Sequence, residues 1–134
     1  MSGRPTVLVA EPDPAVSRTV AALLRRRGYA VEHTTTAAEA ERRLRESLPD
    51  LLVVEFLLPG GSGVRVAELA KALSDDRLPV VVLSALTAGV HHEFAWAAGA
   101  DEVLAKPFRA SALLSAADAL CPVPLVAARF AEAG

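Results

Sequence analysis

The sequence predicts an α/β domain built on a parallel sheet, and three observations carry that prediction. Short runs such as Leu51-Leu52-Val53-Val54 and Pro79-Val80-Val81-Val82-Leu83 are apolar at consecutive rather than alternate positions, as strands covered on both faces require. Between these runs lie segments with helix start signals and apolar residues at three- and four-residue spacing. Strand and helix signals alternate five times along 134 residues, and connections of that length imply parallel strands joined by right-handed crossovers.

Each element has a local reason. Thr6 to Ala10 is the first strand. Asp13-Pro14 then supplies an N-cap and a proline at the first helical position, Val16, Val20, Leu23 and Leu24 form the apolar stripe, and Gly28 ends the helix. Tyr29 to His33 is the second strand. Thr36 and Glu39 have capping-box spacing for a helix to about Ser47, with Ala40, Leu44 and Leu48 inward. The third strand follows Pro49-Asp50 and ends at Glu55. Its helix starts near Gly63 and runs to about Ser74, burying Val66, Leu69, Ala70 and Leu73. Leu78 to Ser84 is the fourth strand, and Ala88 to Ala98 the fourth helix, with Val90 and Phe94 as its core residues. Asp101 to Ala105 is the fifth strand and Arg109 to Leu120 the last helix.

Residues 1–120 thus read as one domain and 121–134 as a tail or the start of a linker. Cys121-Pro122-Val123-Pro124 interrupts the last helix, and Leu125 to Ala133 suits one more short helical turn. No output domain follows in the sequence, so the expectation is a stand-alone module or a segment of a longer parent.

A hydrophobic fraction of 52% suits a two-layered core. The net charge of −2 gives no electrostatic reason to expect nucleic acid or membrane binding. Arg25-Arg26-Arg27 and Arg42, Arg43 and Arg45 are dense basic sites, but they fall late on helices, where cations favour the dipole. Cys121 is the single cysteine, no signal peptide is visible, and no run approaches the roughly 20 apolar residues of a spanning helix. A cytoplasmic location is therefore expected. His91-His92 does not suggest a metal site, since adjacent helical positions point roughly 100° apart.

In an open parallel sheet the ligand crevice lies beyond the carboxyl ends of the strands. Four strands deliver polar residues there: Glu11-Pro12-Asp13 after the first, Glu55 on the third, Ser84 on the fourth and Lys106 after the fifth. Burial of a lysine near carboxylates needs an ion partner, which Glu55 or Glu11 supplies.

Val7-Leu8-Val9 with Asp13-Pro14, Arg27-Gly28-Tyr29, Pro49-Asp50, Leu58-Pro59-Gly60 with Ser62-Gly63, Ser84-Ala85, Ala98-Gly99-Ala100-Asp101 and Lys106-Pro107-Phe108 occur in order. Together they make the chain resemble the receiver domain of two-component response regulators over roughly residues 5 to 120. The resemblance implies a doubly wound, flavodoxin-like sheet in the order 2-1-3-4-5 with helices on both faces. It also implies a cis bond between Lys106 and Pro107.

The chemistry departs from the family's. Glu55 stands where the resemblance implies a phosphoryl-accepting aspartate, and Glu11 and Pro12 stand where it implies a magnesium-holding acidic pair, so Glu11, Pro12 and Asp13 form a degenerate metal site. Pro12 has no carboxylate to offer, and Asp13 is occupied as an N-cap. Ser84 and Lys106 match the family's phosphoryl-contacting pair. The switching aromatic's position is Val103, which has one strongly preferred rotamer. His92, Trp96, Val103, Ala105 and Phe108 fall on the face that receivers use for partners, formed by the fourth helix, fifth strand and last helix.

The sequence therefore reads as an atypical, phosphorylation-independent receiver. It would act as a signalling or scaffold module that binds a protein partner or itself, without enzymatic turnover, cofactor, metal, nucleic acid or membrane. Two alternatives stay open: a receiver phosphorylated at a non-standard acceptor, Glu55 or Asp13, and a small-ligand sensor using the acidic pocket.

Overall fold

A computed structural model of the chain describes residues 3–85 and 89–124, the side chain of Val90 excepted. The first half runs β1 (Thr6–Ala10), α1 (Pro14–Arg27), β2 (Ala30–Thr34), α2 (Ala37–Glu46) and β3 (Leu51–Glu55). A small hairpin of β4 (Leu57–Leu58) and β5 (Gly61–Ser62) follows, then α3 (Gly63–Leu73), β6 (Val80–Ser84), α4 (Gly89–Ala97), β7 (Glu102–Ala105) and α5 (Ala110–Leu120). The main sheet is parallel, in the order β2-β1-β3-β6-β7. This is the five-stranded, doubly wound flavodoxin-like architecture that the sequence implied.

Alternate residues of the central strands feed two separate cores. Leu8, Leu52, Val54, Val80 and Val82 face α2, α3 and α4, while Val7, Val9, Leu51, Val53, Val81 and Leu83 face α1 and α5. Burial on both faces is why these strands carry no polar alternation. The registers set Ala10 beside Val54 and Glu55 beside Leu83, so the ends of β1, β3 and β6 come level at one edge.

Local signals fix the helix ends. The Asp13 carboxylate accepts the Ala15 N–H at 2.9 Å and the Thr36 hydroxyl accepts the Glu39 N–H at 3.2 Å, each satisfying a free donor of the first turn. Gly28, at φ 112°, ends α1 and turns the chain so that Tyr29 is buried. The Tyr29 hydroxyl lies 2.7 Å from the Cys121 carbonyl oxygen and 3.0 Å from a carboxylate oxygen of Asp118, which ties β2 to the end of α5.

Three expected core residues are on the surface instead: Leu48 is 40% exposed, Leu73 39% and Phe94 58%. Leu48 lies past the end of α2 and Leu73 is the last residue of α3. On α4 the inward positions are His91 and Ala95, with Ala98 just beyond its end, and Phe94 falls on a flank. The expected contribution of Val90 to the core, the Ala88 helix start and the helical turn over Leu125 to Ala133 lie outside the described residues. No helix among the described residues is long and apolar enough to cross a membrane.

Candidate functional site

The site is assembled from backbone outward. Beyond β1, the Glu11 N–H donates to the Thr34 carbonyl at 3.0 Å, which holds the first residue past the strand in line with the sheet. Beyond β3, the Phe56 N–H donates to Leu83 and the Phe56 carbonyl accepts from the Gly63 N–H, both at 2.8 Å. A side chain at Gly63 would bring a Cβ to 2.0 Å from the Glu55 carbonyl oxygen, so only glycine permits this close approach. Beyond β7, the Lys106 N–H donates to the Ser84 carbonyl at 2.8 Å, and the Lys106–Pro107 bond is cis.

These anchors bring together Glu11, Glu55 and Lys106. The Lys106 ammonium donates to Oε1 of Glu55 at 3.0 Å and to Oε1 of Glu11 in a shorter contact. The sequence led to an expectation of one partner or the other; the lysine engages both. The two carboxylates are nearly dry, with Glu11 1% and Glu55 7% exposed. Burial alone pushes the Lys106 ammonium down, but the hydrogen bonds and charges of Glu11 and Glu55 outweigh it and hold the group above its ordinary value of 10.5.

The remaining oxygens are largely committed. Glu11 Oε2 accepts the Asp13 N–H at 2.9 Å, and Asp13 itself caps α1. Pro12 supplies no side-chain oxygen. Glu55 Oε2 is buried and has no hydrogen-bond partner among the described residues. Magnesium needs near-octahedral oxygen ligands at about 2.0–2.1 Å. With an ammonium already between the two buried carboxylates, this donor set does not fit that shell, and no group of three or more His, Cys, Asp or Glu among the described residues is arranged to hold a metal.

Ser84 is buried at the end of β6, next to this cluster through its carbonyl contact with Lys106. Two neighbours were missed by sequence reasoning. A His33 ring nitrogen, Nε2, lies 3.0 Å from the Glu11 carbonyl oxygen, and the Phe56 and His91 rings meet edge to face with centroids 5.7 Å apart at 83°. Strand parity alone gave His33 no reason to face Glu11, and nothing in the spacing linked residues 56 and 91.

The expected partner face is only partly assembled. Trp96 is 47% exposed on α4, His92 is half-buried on the same helix, and Val103 packs on the core beneath α4 while Ala105 is exposed. Phe108 packs on the α1 and α5 core, on the last-helix side of the sheet, and with Ala15, Val16, Thr19, Lys106 and Pro107 it lines a cleft of about 350 Å³. The turn at Lys106-Pro107 carries the chain there, from β7 towards α1.

Comparison with known proteins points one way. The family model for the response regulator receiver domain matches residues 7–118. The phosphate regulon transcriptional regulatory protein PhoB of Rhizobium meliloti is 33% identical over 117 residues, covering 87% of this chain and 52% of that protein. The DNA-binding response regulator MtrA of Mycolicibacterium smegmatis is 30% identical over 112 residues, covering 84% and 48%. The chain thus spans about half the length of the curated relatives it matches. Among solved structures, a putative response regulator from Chloroflexus aurantiacus superposes with a TM-score of 0.82 at 28% identity, covering 87% of this chain and 97% of that one. A response regulator from Burkholderia pseudomallei, solved with a phosphorylated aspartic acid and a calcium ion, gives a TM-score of 0.76 at 25% identity, covering 94% and 70%.

Proposed function

Because the chain belongs to the response regulator receiver domain family, we propose that it serves two-component signalling as a protein-interaction module whose output does not require phosphoryl transfer to its own carboxylate. One observation carries this reading: the Lys106 ammonium is engaged by both Glu11 and Glu55. Phosphoryl transfer depends on positioning and on cations that neutralise the transferring group. Here the only cation of the three-residue cluster is already spent on two carboxylates, which together with it leave one net negative charge. A phosphate donor would meet that charge on two carboxylates that are themselves buried. Pro12 removes a further oxygen, and Val103 offers no ring to swing.

Partner binding is assigned to the surface around α4 and β7, where Trp96 and Phe94 are large exposed side chains and aromatic anchors of this kind dominate interfaces. His92, Val103 and Ala105 accompany them, and Phe108, half-buried against α5, is the contribution from the last-helix side. No turnover is required of any residue. A second reading has one observation in its favour: Glu55 Oε2 lacks a described partner and would be the oxygen to accept a phosphoryl group.

Incubation with acetyl phosphate and magnesium, read by intact mass, tests the proposal. The expected spectrum is unchanged. A labile phosphoryl adduct located at Glu55 or Asp13 would refute phosphorylation-independence and favour the second reading. For the surface, sedimentation of wild type and Trp96→Ala over a range of concentrations distinguishes self-association through α4 from a role for a different partner.

A further inference from the structure

We propose that the amino-terminal edge of the sheet carries a docking trough for the chain's own C-terminal segment, Leu125 to Phe130, which covers Leu48 and Leu73. The trough lies at the opposite end of the strands from Glu11, Glu55 and Lys106, so the inference goes beyond the function just proposed and does not depend on it.

The floor of the trough is apolar and open. Leu48, past the end of α2, and Leu73, the last residue of α3, are both exposed, and with Pro49, Leu78 and Pro79 they line one trough of about 540 Å³ where the chain enters β3 and β6. Two large aliphatic side chains left in water at one place mark a surface whose covering is favourable.

The route of the chain says what covers it. After α5 the backbone stays on the domain: Val123 packs back on the α1 and α5 core, and Pro122 and Pro124 line a second trough of about 430 Å³ together with Pro5, Asp50 and Pro79. Asp50 and Pro79 line the first trough as well, at the entrances to the adjacent strands β3 and β6, so the two troughs are continuous through that pair. Proline fixes φ at both exit positions and so narrows the directions in which the chain continues. The six residues that follow are Leu125-Val126-Ala127-Ala128-Arg129-Phe130, five of them apolar; they lie outside the described residues. Six residues span up to about 20 Å when extended, some four strand spacings, which is enough to pass Asp50 and Pro79 and reach the two leucines. Tethering at the trough's own end gives the segment a local concentration of roughly millimolar order, which a second copy of the chain would have to match from solution.

The test is a double-mutant cycle in the full chain, pairing Leu48→Ala/Leu73→Ala in the trough with Leu125→Ala/Phe130→Ala in the tail and followed by urea denaturation. Either pair should lower the folding equilibrium constant several-fold, and all four changes together should lose about tenfold less than the product of the two. Effects that multiply to within about twofold overturn the proposal. So does a wild-type midpoint that rises with protein concentration and loses that rise in the tail pair, which would put the segment in a second copy's trough. Should the trough pair fail to fold, hydrogen exchange of the tail pair decides: exchange at residues 47–50 and 73–79 that speeds up relative to the amides beside Glu55 supports the proposal, and no such relative change overturns it.

Discussion

Lys106→Met is the perturbation that separates a dry, structural ion cluster from a loose surface contact. Methionine keeps the apolar stem and removes only the charge, so packing changes little. What is left is two carboxylates, one 1% and the other 9% exposed, without their cation. Breaking a buried pair by removing one partner costs about 3–5 kcal/mol. The lysine itself is 17% exposed, so some water reaches the cluster and the lower end, about 3 kcal/mol, is the expected loss. For a domain of this size that corresponds to a fall in Tm of roughly 10 °C. Urea denaturation followed by circular dichroism measures it directly. The difference between wild type and variant should hold from neutral pH to the ordinary lysine value of 10.5 and shrink above it, because there the unfolded chain releases a proton that the folded chain still holds. A loss below about 1 kcal/mol, the range of exposed pairs, would refute the reasoning.

Tyr29→Phe should cost about 1–3 kcal/mol by stranding the Cys121 carbonyl oxygen, measured by the same denaturation. Burial first, then the hydrogen bond and charge of Asp118, hold the Tyr29 hydroxyl well above its ordinary value of 10.0, so wild type loses stability as pH rises past that value and the variant should show a weaker alkaline decline. Gly63→Ala should destabilise by at least about 3 kcal/mol or prevent folding, as read by soluble yield and thermal melts, because its Cβ meets the Glu55 carbonyl oxygen at 2.0 Å. Glu55→Asp alone should stay unlabelled by acetyl phosphate with magnesium, since Pro12 and the Lys106–Glu11 pair persist; intact-mass evidence of a ready adduct would show that one methylene was the whole obstacle.

The sequence made the strand and helix order legible because its punctuation is chemical. Asp13-Pro14, Gly28 and Thr36 with Glu39 each act in the structure through the hydrogen bond or backbone angle that made them recognisable. Apolar spacing was less reliable about depth. It marks a face of a helix without saying how far the sheet extends beneath it, so Leu48 and Leu73 read as core and lie at the rim. On α4 the buried position is Ala95, with His91 half-buried on the same side, and a larger Phe94 one position from Ala95 attracted the assignment. The hairpin of β4 and β5 was invisible because two-residue strands around Pro59-Gly60 carry no periodicity. Within the site, the residues were identifiable because each terminates a strand at the same edge. Their pairing was legible as Lys106 with Glu55 or Glu11; that one ammonium reaches both depends on side-chain torsions, which one dimension does not record.

The same cluster that bears on function also holds the sheet edge together. Lys106 follows β7, Glu11 follows β1 and Glu55 ends β3, so one ammonium ties three strands across β6, whose Ser84 carbonyl fixes the lysine's own backbone. A pocket that exchanges metal and phosphoryl groups has to release its ligands to solvent, and a covalently tethered cation cannot leave. On the proposed reading, the arrangement of the pocket no longer follows metal or phosphate supply. Signal must then enter through events that act elsewhere on the molecule, and a differential contact with a partner is the kind that shifts a conformational equilibrium. On that reading the exposed side of α4 and β7 around Trp96 is where such a contact is proposed to form.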